Sequence, residues 1–451
     1  MIKMEQMIGT GRRAKVAALL AGMIVIAPSA LLAADWPQFG GPNRDFIVDC
    51  KGLADAWPAE GPKQLWKREL GDGYSTILAD GDLLFTMYRT MGPDNTPGED
   101  EFTVALDKST GKTVWEHKNP SPYTKLMQQF GPGPHTTPLI VGDHLYAIGT
   151  NAVMHCYNKK TGEVIWKHDL PAEFGAPIPG RGYGNSPIAY KNMVIVGVDR
   201  DRGEGDGEGG GADEAKKAEA AKTPNPQSLV AFDQKSGSVI WKSQDYPIAY
   251  ASPILITFEG QPQIVLLMER DIVGVNPDNG ELVWHSEVKP EGVNLATPVF
   301  DGKDTLFCSS AYDSGSRAIK LARKDGTIAA EQLWYGRKMR IHHGNAIRLG
   351  DYVYGSSGDS GPAFFMGVNL RTGEVAWRER GFKKANCVYA DEKMIILDEE
   401  GELALATVSP GGMKVLSRTK IAEPYAWAAP TLVGTKLFVR DRKHIMAFDL
   451  G

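Results

Sequence analysis

The sequence predicts an all-β protein, an eight-bladed β-propeller of four-stranded antiparallel blades closed by pairing the N-terminal strand with the last blade. Three observations predict it. A tryptophan-ended turn unit recurs with a period of roughly 40 to 50 residues, the spacing of propellers and solenoids. A second hairpin signal precedes each unit. The two ends of the chain also complement each other, the first strand lacking a unit and the last unit lacking a strand.

The unit reads apolar-x-Asp/Asn, a short polar turn with Gly, then Trp four residues on. It runs Ala105-Leu106-Asp107 to Gly111 and Trp115, Cys156-Tyr157-Asn158 to Gly162 and Trp166, and Ala231-Phe232-Asp233 to Gly237 and Trp241. It returns as Gly274-Val275-Asn276 to Gly280 and Trp284, and as Gly367-Val368-Asn369 to Gly373 and Trp377. Gapped copies lie at Leu321 to Trp334 and Leu403 to Leu416. Alternating residues on either side predict two antiparallel strands. The Asp or Asn side chain bonds its own turn, and Gly takes the positive φ that the turn requires. Each tryptophan is an apolar plate with one N–H donor, suited to the gap between neighbouring blades. Trp66, Trp115, Trp166, Trp241, Trp284, Trp334 and Trp377 are therefore read as structural.

The upstream hairpins open near a proline, as at Thr137-Pro138, Ser186-Pro187, Ser252-Pro253, Thr297-Pro298 and Ala429-Pro430. Two hairpins make one four-stranded blade. Innermost strands counted this way start near Tyr74, His135, Gly184, Tyr250, Leu295, His343, Ala385 and Trp427, which gives eight. The last unit ends at Phe448-Asp449 without a tryptophan strand, whereas Leu65-Trp66-Lys67-Arg68 has no unit before it. Docking the early strand on the last blade closes the ring and removes open edges.

The chain has 451 residues, a net charge of -5 and 42% apolar residues, so a large core can be buried. Mild acidity argues against bulk binding to nucleic acid, which calls for a basic surface. Residues 1–34 have the order of a secretory signal: Arg12, Arg13 and Lys15, an apolar stretch from Val16 to Ala27, then small residues to Ala34. Cleavage near Ala34 is expected, with an uncleaved anchor as the alternative; after cleavage no integral membrane domain remains. Residues 35–61 form an extended N-terminal arm and 62–451 the propeller. Cys50, Cys156, Cys308 and Cys387 are scattered, without metal spacing, and are read as buried free thiols.

The repeats resemble the pyrroloquinoline-quinone-type (PQQ-like) propeller family, whose blades carry Ala-x-Asp-x-x-x-Gly-x-x-x-Trp. Ala105 to Trp115 and Ala231 to Trp241 match it most closely, and the opening Asp35-Trp36-Pro37-Gln38-Phe39-Gly40-Gly41 is similar to the start of many such chains. The resemblance covers about Trp36 to Leu450. It implies the fold strongly and the activity weakly, because the family holds quinoprotein dehydrogenases and non-enzymatic assembly factors alike. Quinoprotein alcohol dehydrogenases hold their cofactor under a disulfide of adjacent cysteines, which this chain lacks, and their calcium site and catalytic Asp find no matching motif. The outer-membrane assembly (BamB-like) members are closer in length and plan. They are normally lipid-anchored, and this chain lacks the cysteine for that.

Three segments interrupt blades between their second and third strands: 199–226, Thr90 to Glu101, and Gly355 to Pro362. The first is too poor in apolar residues to order itself. All three crowd one face, which is read either as a partner surface or as tolerated loops. The same face receives the mouth of the central channel. Tyr74, His135, Tyr250, His343 and Trp427 align at one level, Asn185 and Asn386 lie one residue deeper, and Tyr183, Asn294 and His342 one residue outward. His342 and His343 should not both face the channel if their strand is regular. Arg340 precedes them on the connecting loop, after Arg337 and Lys338. This funnel is a candidate site for a small anionic or quinone-like ligand; ordinary packing of a propeller mouth is the competing reading. His135 with His343 has no short-spaced motif to make a metal site.

The functional expectation is an exported, monomeric, non-enzymatic scaffold of the periplasm or cell envelope. It would bind a protein partner, using strand edges or loop aromatics such as Trp427 and Tyr250, with no cofactor and no catalytic residue. The alternatives are a PQQ-dependent dehydrogenase holding PQQ with calcium, and a small-molecule or polysaccharide binder.

Overall fold

A computed structural model describes residues 35–122, 131–198, 227–288, 294–312, 314–359 and 361–451. The proposed signal and the 199–226 insertion lie outside the described residues. The described residues form one compact unit.

The described strands make eight four-stranded antiparallel sheets, each running from an innermost to an outermost strand. Blade one consists of Leu78–Asp80, Leu83–Met91, Pro97–Asp107 and Thr113–Pro120. The innermost strands of blades two to seven are Leu139–Val141, Ile188–Tyr190, Ile254–Phe258, Val299–Phe300, Ala346–Leu349 and Asn386–Ala390. Blade eight takes Thr431–Val433, Lys436–Arg440 and His444–Asp449 from the end of the chain and Lys63–Glu69 from its beginning. In that junction Trp66 pairs with Ala447 and Arg68 with Ile445. The ring is closed as the two complementary chain ends predict.

Each tryptophan unit works across a blade boundary. In six outermost strands the indole Nε1 donates to a backbone carbonyl in the turn of the next blade: Trp66 to Lys108, Trp115 to Lys159, Trp166 to Gln234, Trp241 to Pro277, Trp334 to Leu370 and Trp377 to Ser409, at 2.7 to 3.2 Å. The turn glycine lies against the ring. A Cβ on Gly111, whose φ is +70°, would sit 2.7 Å from the Trp66 indole. Opposite the tryptophans stand small residues, such as Ala105, Cys156, Ala231 and Gly274, each followed by a bulge. The bulge carries the chain into the turn. Trp284 departs from the pattern. The hairpin of blade five runs on to Lys324 and Thr327, and Trp284 donates instead to Gln263 Oε1 of its own blade at 2.6 Å.

The Thr-Pro and Ser-Pro dipeptides stitch the inner ring. Thr137 Oγ1 accepts from Thr76 N, Ser186 Oγ from Thr137 N, and Ser252 Oγ from Ser186 N, at 3.0 to 3.2 Å. Each hydroxyl thus satisfies a buried N–H of the preceding blade, where an orphan donor would be costly. Asn345 reaches the following blade instead, with two bonds, donating to Cys387 O and accepting from Cys387 N. Blades one and two are further joined by a sealed ion pair. Arg89 lies 2.8 Å from Glu101, and Glu101 accepts from Thr150 N and Thr150 Oγ1.

Thr90 to Glu101 is mainly strand rather than a free insertion. The hairpin continues to Met91 and resumes at Pro97, with one 3-10 turn at Pro93–Asn95. Pairing across it is nearly continuous, so the segment lengthens the blade.

The arm spans the ring. Trp36 exchanges two backbone hydrogen bonds with Ala79, Pro37 O accepts from Ile140 N, Arg44 donates to Pro187 O, and Phe46 and Val48 bond Tyr389. Blades one, two, three and seven are thereby tied together near the axis. Arg44 is buried, and burial pulls its guanidinium down to about 9.

All four cysteines are free; three are buried and Cys50 is half-buried. Among the described residues no helix is long and apolar enough to cross a membrane.

Candidate functional site

The segments that lead into the inner strands converge on a cavity of about 140 Å³. Tyr74, His135, Gly184, Tyr250 and Trp427 stand four residues before their strands, a level that repeats because each blade enters the ring in the same way. All five line the cavity, as do Leu295 and His343. Two residues further in, Thr76, Thr137, Ser186, Ser252 and Ala429 form the next tier of the wall. Beneath it Phe39, carried by the arm, forms the floor and meets Phe46 edge-on at 5.2 Å. The opening is therefore a funnel stopped at one end by the protein's own N-terminal arm.

Aromatic rings follow one another along the wall. His343 lies face to face on Trp427 with centroids 4.0 Å apart, Tyr425 stacks on Trp427 at 4.8 Å, and Tyr74 meets Trp427 at 5.1 Å and His135 at 5.7 Å. On the other side His342 abuts His343 at 4.0 Å and Tyr312 abuts His342 at 5.2 Å. Trp427 is only 7% exposed, and its Nε1 donates to the buried Glu399. Glu399 is in turn paired with Lys383 and Lys384.

Burial sets the charge state of this wall. It pulls His135 and His342 down to about 4 and His343 well below the usual imidazole range, with Lys384 and Arg181 adding to the effect on the last two. The Tyr74 phenol is raised, chiefly by burial. At neutral pH the histidines are uncharged and Tyr74 keeps its proton.

Six of the nine funnel residues expected from sequence meet at the cavity: Tyr74, His135, Tyr250, His343, Asn386 and Trp427. Three do not line it. Asn185 donates to Ala251 O of the next blade at 2.6 Å, and Asn294 reaches Met268 O and Glu269 O. Both amides are turned into blade boundaries. Arg340 donates to Tyr312 O and so stands behind a lining residue. Asn386 also bridges blades, donating to Trp427 O at 2.9 Å.

His342 and His343 both line the cavity, because the chain bends through 342–344 and the strand starts only at Ala346. Trp427 is not a projecting aromatic. It is sealed between His343 and Tyr425, and Tyr425, 38% exposed, takes the outward position. Sequence reasoning missed Phe39, Arg181, Tyr312 and Tyr425. Phe39 stands in the recognised opening motif, while the other three lie on connecting segments without a repeating pattern. Among the described residues no group of three His, Cys, Asp or Glu side chains is placed to hold a metal ion.

Repeat, ring and stopped funnel define a PQQ-like β-propeller. The chain belongs to the family described as outer membrane protein assembly factor BamB, whose profile matches residues 99–379. Among solved structures, BamB from Moraxella catarrhalis is similar at 15% identity and a TM-score of 0.57, covering 86% of this chain and 97% of that one. The quinohemoprotein alcohol dehydrogenase ADHIIG from Pseudomonas putida HK5 is similar at 12% identity and 0.61, covering 92% and 80%. The computationally designed Ika8 protein follows at 10% and 0.54, covering 86% and 99%. At these identities the likeness is one of fold. No curated protein sequence matches the chain.

Proposed function

We propose that the chain is a non-enzymatic scaffold of the cell envelope, presenting its funnel-bearing face to a protein partner. The observation that carries this reading is the make-up of the cavity wall. Its lining holds one formally charged side chain, Arg181, and no carboxylate among the described residues. Calcium takes six to eight oxygen ligands, usually including carboxylates. The hydroxyls, phenols and single amide of this wall are a poor donor set for a calcium-held quinone. With the histidines neutral and no carboxylate among the lining residues, the wall also lacks an anionic base for proton abstraction.

Family membership supports the envelope setting. Tyr425, exposed and stacked on the lining residue Trp427, supplies apolar contact beside the funnel. The test is to titrate the mature protein with PQQ and calcium and follow dye reduction with simple alcohols and sugars. No turnover is expected, and turnover would overturn the scaffold reading. Crosslinking in intact envelopes through a photoreactive group at residue 425 should trap a defined protein; an empty lane would overturn the partner proposal.

A further inference from the structure

The stopped funnel has properties that a docking face alone does not require. Its volume of about 140 Å³ lies below the roughly 300 to 1,000 Å³ usual for drug-sized ligands. It is close to the roughly 150 Å³ of an apolar cavity that takes up benzene. A guest of one ring fits that space. Phe39 on the floor and Tyr250 and Leu295 on the wall give it apolar surface to pack against.

The middle tier carries hydrogen-bonding capacity that the protein does not use. Thr137 Oγ1, Ser186 Oγ and Ser252 Oγ each accept a backbone N–H of the preceding blade, and among the described residues none finds an acceptor for its own proton. Thr76 goes further. It is 1% exposed and lines the cavity, yet its Oγ1 makes no hydrogen bond among the described residues. The neighbouring Ser75 Oγ is sealed from contact, whereas Thr76 Oγ1 is not. Asn386 supplies the complementary group. Its Nδ2 is engaged by Trp427 O, and its Oδ1, unlike the sealed Oδ1 atoms of Asn185 and Asn294, is left open on the cavity side as an acceptor. Blades one to four thus supply hydroxyl donors, and blade seven a carbonyl.

The wall disfavours a charged guest. Burial keeps its three histidines neutral, and an ion entering the same surroundings would lose its hydration. No lining carboxylate is present to match a cation, and Arg181, the one formally charged lining residue, already interacts within the protein.

We propose that the funnel is a binding site for an uncharged single-ring carboxamide. The ring packs among Phe39, Tyr250 and Leu295. The amide carbonyl accepts from the hydroxyl tier that begins at Thr76, and the amide N–H donates to Asn386 Oδ1. This goes beyond the scaffold reading and stands on the cavity alone, so it survives a failure to find a protein partner.

The test compares four probes of one shape by ligand-observed NMR titration on the full mature chain. Benzamide carries both halves of the amide edge, acetophenone only the acceptor, toluene neither, and benzoate a charge. Benzamide is expected to bind at least about tenfold more tightly than toluene, with acetophenone between them and benzoate weaker than benzamide. Thr76→Val keeps the side-chain shape and removes one hydroxyl that the protein itself does not use. It should weaken benzamide and acetophenone about three- to tenfold and leave toluene unchanged. Leu295→Trp, which fills the cavity, should abolish binding of all three neutral probes, with thermal melting confirming that both variants fold. No benzamide binding into the millimolar range, equal affinity for benzamide and toluene, or tighter binding of benzoate than of benzamide overturns the proposal. So does a Thr76→Val protein that binds benzamide as the parent does, or a folded Leu295→Trp protein that still takes up the neutral probes.

Discussion

The His343 imidazole lies on the Trp427 indole with ring centroids 4.0 Å apart and planes within 6° of parallel. The two residues come from blades six and eight, with blade seven between them, so their contact bridges the funnel wall over a neighbouring blade. His343 is held uncharged in that contact. A cation would tolerate the indole face, but this ring is desolvated and sits beside His342, Lys384, His135 and Arg181, all of which oppose its protonation.

Acid should therefore weaken the wall. His343, His342 and His135 have folded pKa values below their unfolded value of about 6.5. From pH 6.5 down to about 4 the unfolded chain binds more protons than the folded one, so stability is present above that window and declines through it. Asp398, raised to about 6 by burial, acts in the opposite sense below pH 6. Comparison of His343→Phe with the parent isolates the imidazole. The melting temperature of the parent should fall more steeply from pH 7 to 5 than that of the variant, and parallel curves would contradict this account.

Glu101→Gln should be strongly destabilising. The exchange leaves the Arg89 guanidinium sealed without its counter-charge, which typically costs about 3 to 5 kcal/mol. Urea denaturation measures it. Replacing both residues together, as Arg89→Met with Glu101→Leu, should recover much of the loss, because two desolvated charges are removed at once.

Gly111→Ala and Gly142→Ala separate packing from backbone strain. Both glycines have positive φ, +70° and +57°, so both replacements carry the conformational penalty of about 1 kcal/mol. Only at Gly111 does the new methyl meet an indole, while nothing lies within 4 Å at Gly142. The first variant should lose clearly more stability than the second in the same urea titration. Equal losses would mean that Trp66 gives way freely.

Thiol reagents should find one cysteine in the native protein. Burial pushes the Cys156 and Cys308 thiols up to about 12 and raises Cys387 further still, so none forms thiolate at working pH. Half-buried Cys50 should label slowly at pH 8, and all four cysteines should react in urea. More than one rapid native equivalent would contradict the packing described.

The blades and their closure were legible in the sequence because each depends on a local pattern. Asp107 to Trp115 spells out its own turn, bulge and inter-blade plate, and Leu65 to Arg68 visibly lacks a hairpin that Phe448 can supply. The funnel was legible at positions where strand entry repeats, such as Tyr74 and Trp427. It was illegible where a side chain has a choice of neighbours. Asn185 could have faced the axis but finds Ala251 O across a blade boundary. His342 joins His343 at the wall because the chain bends before Ala346, and alternation no longer applies. Trp284 kept its place in the repeat while its partner moved, because the change lay in the length of another blade's hairpin.

The joint between Lys63–Glu69 and His444–Asp449 orders events in time as well as in space. The opening strand emerges early and must wait, without any strand partner, until almost every other residue has been made. A nascent chain thus carries an unfinished eighth sheet and an unsealed seam, and only the arrival of its tail closes the ring of blades. Truncation of a few C-terminal residues should consequently resemble failure of assembly more than loss of a single strand.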